Sequence, residues 1–234
     1  MSIIKNKDDF FLITQTNYPL REEFKQLKIP YQLVDKNSFS NLTFPKSAFI
    51  IDATLMSDKG KQKLYSSFKE NYFLSDLSVN WATKLLQQNS HVCGGMTLGV
   101  FSPKQSMEFF YKESFNHEYP QFMDTIKNFS TLIQRTLISI KNPGICFNYP
   151  RVISMLINEA YFVLDSQISD SKSINMCMPL GANYPLGLLD WALKIQPRIV
   201  VKILKKLHQM EPTGRYQISP RLLLHAAKDK KGIN

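Results

Sequence analysis

Cysteine is scarce in this 234-residue chain: Cys93, Cys146 and Cys177 are widely spaced and form no CxxC pair. An odd, scattered set excludes a disulfide framework and gives no zinc site, so no metal is expected. Long apolar runs are missing too. Phe49-Ile50-Ile51 and Leu222-Leu223-Leu224 are far too short to span a bilayer. Met1 to Asp9 is polar and mixed in charge, without the pattern of a secretory signal. No GxSxG, HExxH or P-loop motif, internal repeat or low-complexity tract occurs. A reduced, cytoplasmic protein with no membrane partner is expected. What is present is ordinary: 44% hydrophobic and 21% charged residues, enough in a chain this long to bury a core without staples.

The charge is lopsided. The net value is +10, and from Trp191 to Asn234 ten Lys/Arg face only Glu211 and Asp229, a local excess of eight. Such asymmetry points to an anionic partner, whether nucleic acid, a phosphorylated cofactor or a membrane surface. A solvated helix face with a basic tail accounts for it equally well. Aromatics are scattered rather than interleaved with the cations, as a nucleic-acid stacking platform requires.

The first hundred residues alternate in period. Apolar runs at residues 9–14, 31–35, 48–52, 72–74 and 92–101 read as strands. Between them lie helix-sized spacers: Leu20 to Leu27, a Lys-rich stretch from Lys59 to Lys69, and Trp81 to Gln88. This rhythm implies βαβ units and a mostly parallel sheet. A dinucleotide site on such a sheet carries GxGxxG in its first turn, because glycines let the pyrophosphate approach the backbone at the helix N-terminus. The corresponding turn, Thr14-Gln15-Thr16-Asn17-Tyr18-Pro19, has no glycine. Asp35 stands about 20 residues on, where a ribose-binding acid belongs, although a surface acid ending a strand accounts for it better.

The second half reads as helical. Apolar residues recur at helical spacing from Tyr119 to Arg135 and from Arg151 to Leu164, with a short strand at 137–140 between them. Ser173–Met178, capped by Ser169 or Ser171, Leu188–Leu193 and Ile199–Leu207 complete the set, with Pro197 in the first turn of the last. A boundary at 142/143 divides an α/β domain, 1–142, from an α domain, 143–234.

Four ordered motifs lie in that second half. Asn142-Pro143-Gly144-Ile145-Cys146-Phe147-Asn148-Tyr149-Pro150-Arg151 resembles the PGFxxNR junction of the 3-hydroxyacyl-CoA dehydrogenases. Asn158-Glu159-Ala160 resembles their NEA, and Gly181 to Ala192 is similar to their GxNYPxGPLxWA. Gly214-Arg215-Tyr216, with Pro220 and Leu222-Leu223 beyond, resembles the closing GxRYxPxPLL. In the first half, Phe101-Ser102-Pro103 with Met107 is similar to HFFNPxxxM. The resemblance implies a shortened Rossmann-like parallel-sheet domain, normally the NAD site, followed by an all-helical C-terminal domain. It also implies a homodimer through that helical domain and an acyl-CoA substrate, whose 3-hydroxyl is oxidised by a His–Glu pair assisted by a Ser and an Asn.

Carried over by motif, the assisting Asn falls on Asn148 and the assisting Ser on Ser78, while the dyad positions fall on Gly99 and Tyr111. Glycine has no side chain, and a phenol titrating near pH ~10 is a poor base at neutral pH. Other candidates are His91, just before the last of the first-half strands; His117 beside Glu118, which reads as plain surface; and Cys93, whose commoner reading is a buried thiol. The expected protein is a degenerate relative keeping fold, dimer and possible acyl-CoA binding. The alternatives are an active NAD-dependent oxidoreductase with a relocated base, and a basic nucleic-acid-binding protein.

Overall fold

The chain was studied as a computed structural model, which describes residues 10–34, 39–97, 100–101, 105–115 and 121–228. It divides into two compact units, Met1–Gly99 with Gln105–Phe147, and Val100–Lys104 with Asn148–Asn234.

The first unit is built on apolar strands short enough to be buried on both faces. β1 (Phe10–Thr14), β3 (Phe49–Ala53) and β5 (Val92–Met96) are buried at every position, and β4 (Tyr72–Asp76) at all but its first. That is the profile of a parallel sheet covered on both sides. With β2 (Gln32–Leu33), β6 (Ser106–Tyr111) and β7 (Thr136–Ser139) the order is β2-β1-β3-β4-β5-β6-β7, and every pairing is parallel except β5 with β6. On one face, Phe10 and Phe49 meet Phe129 and Phe122 of α4 (Phe122–Leu132) edge-on. On the other, Phe11, Ile13, Ile50 and Phe73 pack with Leu64 and Tyr65 of α2 (Asp58–Ser67) and Leu85 of α3 (Ala82–Gln88). The small helix α1 (Arg21–Gln26) follows β1 and buries Phe24.

The sequence reading differs in two places. Residues 92–101 do not form one strand: β5 stops at Met96, and β6 turns back beside it. Gly94 permits this return, because a Cβ there would lie 2.3 Å from the Phe110 carbonyl oxygen. The second strand is reduced to two residues.

The second unit comprises α5 (Asn148–Asp165), α6 (Ser171–Ala182), α7 (Leu188–Ile195), α8 (Pro197–Met210) and α9 (Pro220–Lys228). Ile153 and Ile157 of α5, Trp191 and Ile195 of α7, Ile203, Leu204 and Leu207 of α8, and Leu222 of α9 are all buried. Pro197 opens α8 as its spacing requires. The N-cap of α6 is Asp170, whose carboxylate accepts the Ser173 amide at 2.8 Å, rather than either neighbouring serine. Among the described residues, no helix is long and apolar enough to cross a membrane.

Candidate functional site

Ligands of open α/β sheets bind at the carboxyl ends of strands where the order reverses. Here the chain passes from β1 outward to β2 and then to β3 on the other side of β1, so the reversal lies between β1 and β3. The chain fills that crevice with its own side chains. The Thr14 hydroxyl donates to the Ala53 carbonyl at 2.9 Å, and the Leu55 amide donates to Gln15 Oε1 at 3.1 Å. Tyr18, from the same turn, is buried, stacks on Phe24 and donates its hydroxyl to Asp76 Oδ2 at 2.5 Å, at the end of β4. Gln15 thus occupies the Leu55 amide, and the buried Tyr18 ring fills the space beside Phe24 that a pyrophosphate at this turn would need. A dinucleotide does not fit this turn.

Asp76 is the hub of that end of the sheet. Its second oxygen accepts the Ser78 amide at 2.9 Å and the Ser78 hydroxyl at 2.5 Å. Burial pushes the carboxyl up, against the downward pull of the Ser78 and Tyr18 hydrogen bonds and the Lys61 charge. Burial and the neighbouring Asp76 charge likewise raise the Tyr18 phenol. A carboxyl raised on folding contributes stability that is complete at acid pH and is lost as pH rises through its folded value. Asp76→Asn is therefore expected to gain on the parent protein progressively as pH rises above about 4, the ordinary carboxylate value. Thermal melts of both proteins across that range check it; a gap that stays constant with pH refutes it.

Beside this hub lies a second buried network. Lys61 on α2 and Asp52 on β3 are fully buried and 2.5 Å apart. Thr54 donates to Asp52 Oδ1 at 2.6 Å, Ser75 to Oδ2 at 3.0 Å, and the Tyr65 hydroxyl to Ser75 at 2.8 Å. The sequence reading does not single out this pair, because Lys61 is one of several lysines in the Lys-rich stretch from Lys59 to Lys69. A signal was present: Lys61 shares its helix face with Leu64 and Tyr65, at i+3 and i+4. Glu108 was also missed. It is buried on β6, its backbone amide held by Thr97 Oγ1 at 3.1 Å.

The residues singled out by motif each have their own surroundings. The Ser78 hydroxyl is buried and engaged with Asp76. Asn148 is exposed as the first residue of α5. Tyr111 stacks on Phe109 and packs against Phe122 of α4. His91 precedes β5, hence lies at the amino end of the sheet; its Nε2 is 3.1 Å from the Tyr65 carbonyl, and burial lowers its pKa. Cys93 is buried. Asp35, Gly99, His117 and Glu118 lie outside the described residues.

The helical motifs, by contrast, converge on one another. Arg151 donates to the Tyr216 hydroxyl and pairs with Glu211 at 3.4 Å. Asn158 donates to the Gln217 carbonyl at 2.8 Å and accepts the Ser219 amide at 3.0 Å. Asp165 accepts the Ser219 hydroxyl at 2.5 Å. Trp191 Nε1 donates to the Val100 carbonyl at 2.8 Å. Asn175 Oδ1 caps α7 by accepting the amides of Leu189 and Asp190, at 2.9 and 3.2 Å.

A mostly parallel Rossmann-like sheet followed by a helical unit tied in this way is the two-domain dehydrogenase fold. It is similar to (S)-3-hydroxybutyryl-CoA dehydrogenase from Ralstonia eutropha, with a TM-score of 0.64, 17% identity and 94% of each chain covered. It is also similar to 3-hydroxybutyryl-CoA dehydrogenase from Escherichia coli K12, with a TM-score of 0.54 and 20% identity over 68% of this chain and 32% of that one. At such identities the likeness establishes the fold. Sequence adds a second likeness: residues 147–233 match the family model for the 3-hydroxyacyl-CoA dehydrogenase C-terminal domain. The chain is also 31% identical over 67 residues to 3-hydroxyadipyl-CoA dehydrogenase of Escherichia coli K12, a match spanning 29% of this chain and only 14% of that relative. The likeness in sequence is thus carried by the helical C-terminal part, which is similar to the C-terminal domain of the 3-hydroxyacyl-CoA dehydrogenases.

Proposed function

We propose that the protein is a degenerate member of this family that has given up NAD-dependent hydride transfer while keeping the dimer and a capacity to hold acyl-CoA. The observation carrying this reading is the crevice between β1 and β3, closed by Gln15 on the Leu55 amide and by Tyr18 on Asp76. Hydride transfer from a secondary alcohol also needs a base at the oxygen. Tyr111, at the position of the family's acid, is packed among Phe109 and Phe122 instead. Asn148 remains exposed where the assisting Asn belongs and is the residue assigned to the thioester; Ser78 keeps its place but serves Asp76. Homodimerisation is assigned to the hollow of about 710 Å³ in the helical unit, where the exposed Leu193 and Leu224 on its rim are apolar side chains that a second copy would cover.

The test is direct. With NAD and 3-hydroxybutyryl-CoA the purified protein produces no steady NADH. Acetoacetyl-CoA raises its melting temperature, as a ligand of the native state must, whereas NAD leaves it unchanged. Steady NADH production overturns the reading in favour of a relocated base, and a monomer in sedimentation equilibrium overturns the dimer.

A further inference from the structure

We infer that the groove between α8 and α9 is a docking site for an acidic amphipathic helix of a partner protein. Along its fourteen residues α8 carries no acid, and Arg198, Lys202, Lys205 and Lys206 recur on one side at i, i+4, i+7 and i+8. Like charges one turn apart cost a helix a few tenths of a kcal/mol per pair, about 0.2–0.5. Clustering them on one side thus costs the helix, while the opposite face, with Ile203, Leu204 and Leu207 buried, packs the helix into its unit. The four cations form one rim of a groove of about 400 Å³. Its apolar side is Leu223, 39% exposed, with the small Ala226 and Ala227 of α9.

This combination selects the occupant. The cationic rim extends about 12 Å along the helix axis, the length over which a second helix presents acids at the same i, i+4, i+7 spacing. Alanines on the adjoining side let a backbone come close, and Leu223 offers contact to the apolar flank of such a helix. A second copy of this chain does not suit this groove, since a two-fold contact through it would set the same four cations against one another. A duplex or a bilayer would use the cations but has no need of the recess.

A fluorescein-labelled helical peptide of about 18 residues, made of Glu, Leu and Ala with Glu at i, i+4 and i+7, is the probe. It is titrated with the full chain by anisotropy, beside a duplex oligonucleotide and phosphatidylserine vesicles as competitors. Binding is expected to weaken roughly tenfold or more in Lys202→Glu/Lys205→Glu and in Ala227→Phe, which fills the recess without changing charge. A peptide with Gln in place of Glu should not bind. Circular dichroism confirms that both variants fold. The inference falls if the peptide fails to bind, if either variant binds it as the parent does, or if the oligonucleotide or vesicles displace it at lower concentration.

Discussion

Lys61→Met is expected to destabilise the sheet unit by about 3–5 kcal/mol, the usual result of leaving one member of a buried ion pair uncompensated. Asp52 would keep its hydrogen bonds from Thr54 and Ser75 but lose the cation 2.5 Å away, in a place no solvent reaches. The partner variant separates charge from shape. In Lys61→Met/Asp52→Asn the buried charge is gone, while the amide oxygen still accepts from a neighbouring hydroxyl. Most of the lost stability should return, giving a coupling of about 2 kcal/mol or more. Urea unfolding of the parent, both singles and the double checks this; a single variant within about 1 kcal/mol of the parent would show that water or relaxation compensates the carboxylate. The pair also ties the carboxyl end of β3, beside the crevice, to α2.

How much of this was legible in the sequence depends on how local the signal is. β1, β3 and β4 could be read because each is an apolar run whose burial on both faces leaves no alternation to misread. β6 could not, since Ser106–Tyr111 overlaps the stretch resembling a family motif at Met107, and its pairing with β5 depends on the close approach at Gly94, a long-range fact. α9 went unread because Pro220 and Leu222-Leu223 fitted the closing motif and drew attention from the helical spacing of Leu222 and Ala226. The missing glycines of the first turn were visible at once. That Gln15 and Tyr18 themselves plug the crevice was not, because Tyr18 reaches Asp76, 58 positions away.

The family motifs teach a related lesson. Asn158, Arg151 and Trp191 were recognisable by sequence, yet each spends its polar group on another segment of the helical unit: Gln217 and Ser219, Tyr216 and Glu211, and Val100. Retention of those motifs therefore records packing, and by itself carries no argument for chemistry.

Gly187→Ala puts that distinction to a quantitative test. Gly187 has an ordinary φ of −65°, so nothing in its backbone conformation demands glycine. Space does: a Cβ there would lie 2.4 Å from Asn175 Oδ1, 2.5 Å from the Asn175 carbonyl oxygen and 2.6 Å from its Cα. The last two atoms belong to the backbone of α6 and cannot swing aside, so α6 and α7 must separate, and Asn175 must release the amides of Leu189 and Asp190. Overpacking costs about 1–3 kcal/mol and a lost cap about 1 more, for a total near 3 kcal/mol. In a chain of this size that lowers the melting temperature by roughly 6–12 °C. Asn175→Ala alone should cost only the cap. The double variant Asn175→Ala/Gly187→Ala should stay as unstable as Gly187→Ala, because truncating the side chain leaves the clash with the α6 backbone in place. If Gly187→Ala melts with the parent, close packing is not what holds this glycine in the sequence. The segment from Gly181 to Ala192 would then have to be explained by contact with a ligand.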